Sequence, residues 1–163
     1  MSNVVSQRQP VIGVCGAGMC DAATWTLAAA VGRLIAESSA VLVCGGLGGV
    51  MEAACQGAAA AGGLTIGILP GADARAANTS VQVAIPTNMG HARNVIIVQT
   101  ADVVIAIAGE YGTLSEIALA RKIGRRVIGL HTWDLGMDAT HQPHVLPANS
   151  PAEAVALALQ AIQ

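Results

Sequence analysis

The stretch Asp102-Val-Val-Ile-Ala-Ile-Ala108-Gly109-Glu110-Tyr111-Gly112-Thr113-Leu114-Ser115-Glu116-Ile-Ala-Leu-Ala120 runs from an apolar strand through a glycine turn into a helix, and its reading decides the fold. The Val and Ile run has no polar alternation, as expected of a strand covered on both faces of a parallel sheet. Glycines let backbone amides come close to a ligand. The first N–H groups of a helix lack intrahelical partners, so such a turn is a natural anion site, with phosphate as the expected guest.

The same device occurs earlier, where Ala40–Cys44 runs into Gly45-Gly46-Leu47-Gly48-Gly49 and then Val50–Ala54. Apolar runs near 11–15, 40–44, 64–69, 81–85, 102–107 and 127–131 alternate with helical stretches near 21–37, 49–61, 90–100, 113–123 and 151–162. This order predicts an α/β fold, a Rossmann-like doubly wound parallel sheet with helices on both faces. All strand-to-helix turns then share one carboxyl edge, so the two glycine loops are expected to flank one crevice. The first turn, Gly16-Ala17-Gly18-Met19-Cys20-Asp21, fails the dinucleotide fingerprint because Asp21 stands where its last glycine belongs, and no P-loop Gly-Lys-Ser/Thr occurs.

Composition bounds the rest. At 163 residues the chain is expected to be a single Rossmann-like domain, 1–163, with residues 1–10 as a flexible N-terminal segment. Only 11% of residues are charged and 53% are hydrophobic, where average soluble proteins carry roughly 25% charge. That is too little charge to cover a monomer, so a homo-oligomer, dimer or tetramer, is expected, with the alanine-rich helices Ala22–Val31 or Ala53–Ala61 as contact surfaces. The apolar stretch Ala53–Ala72 is broken by Gly57, Gly62, Gly63 and Pro70, which argues against a membrane span. The net charge is −2 and the basic cluster Arg121, Lys122, Arg125 and Arg126 ends a helix, where cations are ordinary, so no nucleic-acid partner is expected. Residues 1–10 lack the apolar core of a signal peptide, which points to the cytoplasm. Cys15, Cys44 and Cys55 read as small core residues, Cys20 stays open, and neither the cysteines nor the four histidines have metal-site spacing.

Two short stretches carry the candidate chemistry. In Met89-Gly90-His91-Ala92-Arg93-Asn94, Arg93 is the sole cation between Arg75 and Arg121 and enters an apolar helix. It reads as a bidentate clamp on a phosphate, the bland alternative being an ion pair with Glu116 or Glu52. His91 reads as a solvated residue or a ligand contact. Thr113-Leu114-Ser115-Glu116 has capping-box spacing, so Glu116 could simply cap its own helix for about 1 kcal/mol. Ser150-Pro151-Ala152-Glu153 has the same spacing with proline at the first helical position. For the irregular segment Thr132–Asn149 both a lid and an oligomer contact are open. The backbone of Gly45, Gly46, Gly48, Gly49, Gly112 and Thr113, with Arg93, is the expected site for a small phosphorylated ligand.

In order along nearly the whole chain, Gly45-Gly46-x-Gly48-Gly49-x-Met51-Glu52, Leu69-Pro70-Gly71, Met89-x-x-x-Arg93-Asn94 and Gly112-Thr113-Leu114-Ser115-Glu116 resemble the Rossmann-like superfamily labelled lysine decarboxylase-like. Its LONELY GUY members are phosphoribohydrolases that split nucleoside 5′-monophosphates. The chain looks most like the short branch of molybdenum cofactor carrier proteins. That resemblance implies binding, protection and delivery of the molybdenum cofactor, a phosphorylated pterin, to molybdenum enzymes or an insertase, without turnover and with no metal site of the protein's own. The alternative it implies is a phosphoribohydrolase without cofactor, with Arg93 and Glu116 as catalytic residues. The hydrolase signature Pro-Gly-Gly-x-Gly-Thr-x-x-Glu is altered here: Ala108 replaces its proline, Glu110 its second glycine, and Asn94 the lysine that follows the arginine. A carboxylate at Glu110 suits the amino-pyrimidine edge of a pterin better than a phosphate, which favours carriage. Glu110 and Glu116 therefore join the expected ligand-binding residues.

Overall fold

The computed structural model describes residues 8–162. The flexibility expected of residues 1–10 therefore falls, for 1–7, outside the described residues. The order of elements is β1 (Val11–Gly16), α1 (Ala22–Glu37), β2 (Val41–Cys44), α2 (Val50–Ala60), β3 (Thr65–Leu69), β4 (Val83–Pro86), α3 (Asn94–Thr100), β5 (Val103–Ile107), α4 (Tyr111–Lys122), β6 (Arg126–Leu130), β7 (Leu146–Pro147) and α5 (Pro151–Ile162), with 3₁₀ turns at Ala74–Ala76 and Gly90–Arg93. The strands form one sheet in the order β4-β3-β2-β1-β5-β6-β7, and every pair is parallel. This is the doubly wound α/β sheet that the alternation of apolar runs implies.

The pleat explains why the strands contain no polar alternation. Ile12, Val14, Leu42, Val103, Ile105 and Ile107 pack on one face with α1, α2 and α5. Their neighbours Val11, Cys15, Val41, Val43, Val104 and Ala106 pack on the other with Ile97 and Val98 of α3 and Ile117 and Ala120 of α4. Both faces are thus dry, and side chains at successive positions each find a core. Cys15, Cys44 and Cys55 are buried free thiols within these cores, and Cys20 is half-buried.

Part of the small-residue run assigned above to subunit contacts is used inside the chain. A Cβ on Gly32 of α1 would lie 1.9 Å from the Ala54 carbonyl oxygen of α2, and one on Gly57 of α2 would lie 1.9 Å from the Ala29 oxygen. Glycine is what lets these two helix backbones meet. No helix among the described residues is long and apolar enough to cross a membrane.

Several local expectations need correction. The helix expected at 90–100 begins as a 3₁₀ turn, Gly90–Arg93, and becomes regular only at Asn94. The helix expected at 113 begins at Tyr111, with Glu110 at the N-cap and no side-chain cap. Thr113 therefore lies inside the first turn, and Thr113–Glu116 is not a capping box. At α5 the cap is real but shifted: Ser150 Oγ accepts from the Glu153 amide at 3.2 Å, while the Glu153 carboxylate accepts from the Asn149 amide at 2.7 Å. Within 132–149 the chain adds the short edge strand β7 on β6, which the sequence pattern did not show.

The strand order turns on β1. The chain runs from β1 outward through β2, β3 and β4, then returns across the sheet to β5 on the other side of β1. The carboxyl ends of β1 and β5 thus border the topological switch point, where open α/β sheets bind ligands.

Candidate functional site

A cavity of about 200 Å³ opens at that switch point. The turn after β1 contributes Gly16, Ala17 and Gly18; the Gly90–Arg93 turn and the start of α3 contribute His91, Arg93 and Asn94; the start of α4 contributes Glu110, Gly112, Thr113 and Glu116; Met51 comes from α2. Of the expected site residues, Arg93, Glu110, Gly112, Thr113 and Glu116 are together here. Gly45, Gly46, Gly48 and Gly49 are not among the lining residues.

Those four glycines stand behind the cavity. The Gly45 carbonyl accepts from an Arg93 terminal nitrogen at 3.5 Å, and a Cβ on Gly45 would lie 2.5 Å from that nitrogen. Gly49 has φ +64°, and its Cβ would lie 2.3 Å from the Ala17 carbonyl oxygen. The same oxygen accepts from the Val50 amide at 3.0 Å, so the first amide of α2 is already taken. Gly46 backs onto β3 and Gly48 approaches Gly18.

The start of α4 is built differently. Gly109 has φ +104°, and a Cβ there would strike the Thr113 hydroxyl at 2.3 Å, so this turn needs glycine. Ala108 before it also holds positive φ, +48°, fixed by its amide donating to Leu130 O at 3.1 Å and its carbonyl accepting from Thr132 Oγ1. Backbone held in a sparsely populated region by surrounding bonds is a recurrent property of functional sites. The first intrahelical bond is Leu114 N to Glu110 O, 3.0 Å, which leaves the Gly112 and Thr113 amides without partners in the helix. A Cβ on Gly112 or on Gly18 would meet nothing within 4 Å.

Arg93 is 8% exposed and Glu116 is 7% exposed. Arg93 donates one terminal nitrogen to Asn94 Oδ1, Asn94 donates to Ser115 Oγ at 3.2 Å, and Arg93 Nε is buried without a partner. Among the described residues Arg93 forms no direct ion pair with Glu116 or Glu52, although the charges of Arg93 and Glu116 act on each other. Burial pulls the Arg93 guanidinium below its ordinary range, with the Glu116 charge opposing that shift. Burial also pushes the Glu116 carboxyl up to about 7, and Arg93 counteracts only part of the effect. Glu116 is therefore a buried carboxyl that holds its proton more tightly than an exposed one, not a surface cap.

A guanidinium with an unused donor, unpartnered helix amides and a dipole pointing the same way is a set of groups that attracts an anion. A carboxyl that titrates near 7 can hold or move a proton beside it. The sequence reading missed the Gly16–Gly18 turn and Met51 as lining. The signal for the turn was its place after β1 at the switch point rather than its glycine spacing. Among the described residues no cluster of three or more His, Cys, Asp or Glu could hold a metal ion.

Comparison with known proteins places this geometry in a family. The sequence model of the SLOG cluster4 family matches residues 9–155, and the chain belongs to that family. It is 54% identical over 119 residues to an uncharacterized protein of Archaeoglobus fulgidus, covering 73% of this chain and 78% of that one. The molybdenum cofactor binding protein of the phototrophic bacterium Rippkaea orientalis superposes with a TM-score of 0.87 at 41% identity, over 97% of this chain and all (100%) of that chain. The Moco carrier protein of Chlamydomonas reinhardtii superposes with a TM-score of 0.84 at 35% identity, over 95% and 98% of the two chains. The fold and the kinship expected from the ordered motifs are thus both found.

Proposed function

We propose that this SLOG cluster4 protein binds the molybdenum cofactor by its phosphate, shields it and passes it on to molybdenum enzymes or an insertase as unchanged cargo. The observation that carries the reading is the open start of α4 facing the buried Arg93. The Gly112 and Thr113 amides would take phosphate oxygens and Arg93, which lines the same cavity, would supply the charge. Glu110, exposed at the cavity rim, would accept from the amino-pyrimidine edge of the pterin. Similarity to proteins named for binding or carrying this cofactor, along almost their whole length, supports the same ligand.

Carriage needs ground-state affinity and exclusion of water and oxygen, whereas catalysis needs groups that bind the transition state more strongly. One feature favours the second reading, a phosphoribohydrolase: Glu116 lines the cavity beside Arg93, and its burial pushes the carboxyl up to about 7, the range suited to a general acid or base. The two readings part on one experiment. Incubated with purified molybdenum cofactor, the protein is expected to prolong the cofactor's active lifetime, and with AMP it is expected to release no adenine above background. Adenine release that disappears in Glu116→Gln would overturn carriage.

A further inference from the structure

The cavity around Arg93, about 200 Å³, is smaller than sites for whole drug-sized ligands, which run to roughly 300–1,000 Å³. A second cavity of about 430 Å³ lies beyond the carboxyl end of β6, walled by His131, Thr132, Trp133, Asp134 and Met137. Strands β5 and β6 are direct neighbours, so their turns are about 5 Å apart at the sheet edge. Those turns are tied together: Thr132 Oγ1 donates to the Ala108 carbonyl, and the rings of Tyr111 and Trp133 lie 5.9 Å apart.

Three features mark this second cavity and its rim. Met137 of the cavity wall is 67% exposed, and Tyr111, one residue beyond Glu110 and beside the cavity rather than in its lining, is 80% exposed. Trp133 Nε1 is buried with no acceptor among the described residues, and an orphaned indole donor is uncommon. His131 holds positive φ, +53°, directly across from Ala108, so both adjoining turns are strained at the same edge.

We infer that this cavity receives the planar heteroaromatic ring of the ligand whose phosphate sits on α4, with Trp133 as the stacking surface and Tyr111 beside it at the cavity mouth. The inference rests on the reading of the site given under the proposed function and divides the ligand between two compartments. Phosphate goes to Arg93, Gly112 and Thr113, the ring passes Glu110 and Tyr111, and its far edge lies against Trp133 and Met137. Stacking on the Trp133 face selects for flat rings of any polar pattern, while Glu110 offers an acceptor for the ring edge.

Calorimetry with three probes tests it: inorganic phosphate, neopterin without phosphate, and 6-hydroxymethylpterin phosphate. The phosphorylated pterin is expected to bind at least about tenfold more tightly than inorganic phosphate, the increment that aromatic contacts can supply. Trp133→Ala and, because Met137 is exposed and its loss leaves the fold intact, Met137→Asp are each expected to remove most of that gain and leave inorganic phosphate affinity within about twofold. Arg93→Ala is expected to weaken both phosphate compounds. Unchanged affinity of both variants for the phosphorylated pterin, or equal weakening toward phosphate and pterin phosphate, overturns the two-compartment arrangement and leaves the anion site standing. Wild-type protein that binds neither phosphate compound overturns both.

Discussion

The starts of α2 and α4 share one sequence pattern, an apolar parallel strand followed by glycines and a helix, at the same edge of the same sheet. At α2 the glycines and the first amide are closed off: the Val50 amide donates to Ala17 O, and Gly49 is pressed on the Ala17–Gly18 backbone, although the next two amides, of Met51 and Glu52, also lack helical partners. At α4 it is open: Gly112 faces free space, and the nearby guanidinium of Arg93 keeps an unused donor. The difference teaches that a glycine run marks close approach, and that what approaches is either protein or ligand. The discriminator is what a Cβ at each glycine would touch.

The largest effect expected from this contrast is at the closed turn. Gly49→Ala places a methyl 2.3 Å from Ala17 O on a backbone with φ +64°, and should lower stability by about 3 kcal/mol or more through combined clash and strain. Urea denaturation would show it, and a variant as stable as wild type would break the distinction between the turns.

Next in size is the pH dependence at the open turn. The folded Glu116 carboxyl titrates near 7 rather than near 4.5, so the folded state holds its proton more tightly than the unfolded chain. Its stabilisation is fully present below about pH 4.5 and is lost as pH rises through about 7, with a total loss of roughly 3 kcal/mol. Glu116→Gln should flatten this part of the stability profile between pH 4.5 and 8. If it instead lowers stability by the same amount at every pH, the carboxyl has a structural bonding role and the account of its burial fails.

The smallest stability effect and a large binding effect are expected together at Gly112. Gly112→Val adds a side chain where nothing lies within 4 Å, so folding stability should stay within about 1 kcal/mol of wild type, the range of helix propensities. Sulfate binding, read by calorimetry, should be lost because the side chain fills the anion cavity.

The sheet was legible because parallel strands buried on both faces leave continuous Val, Ile and Leu runs, and only β7, two residues long, is too short to leave a pattern. Arg93 was legible as an isolated charge entering an apolar helix, and Glu116 as the last residue of the Gly112–Glu116 motif. Their relation was not: the capping-box spacing at Thr113 pointed to a local bond, whereas the conformation of Ala108 and Gly109 moved the helix start to Tyr111 and turned Glu116 inward. The closed role of Gly49 depends on Ala17, in a turn far off along the chain that the sheet topology brings alongside. Local sequence carries no trace of such a partner.

The most direct test of the contrast between the two turns is a titration of ¹⁵N-labelled protein with sulfate, whose charge is constant near neutral pH, followed by amide NMR. The account predicts saturable shifts at Gly112, Thr113 and the Arg93 Nε–H, with Gly48, Gly49 and Val50 unmoved. Shifts centred on Gly48–Val50 with Gly112 and Thr113 silent would contradict it.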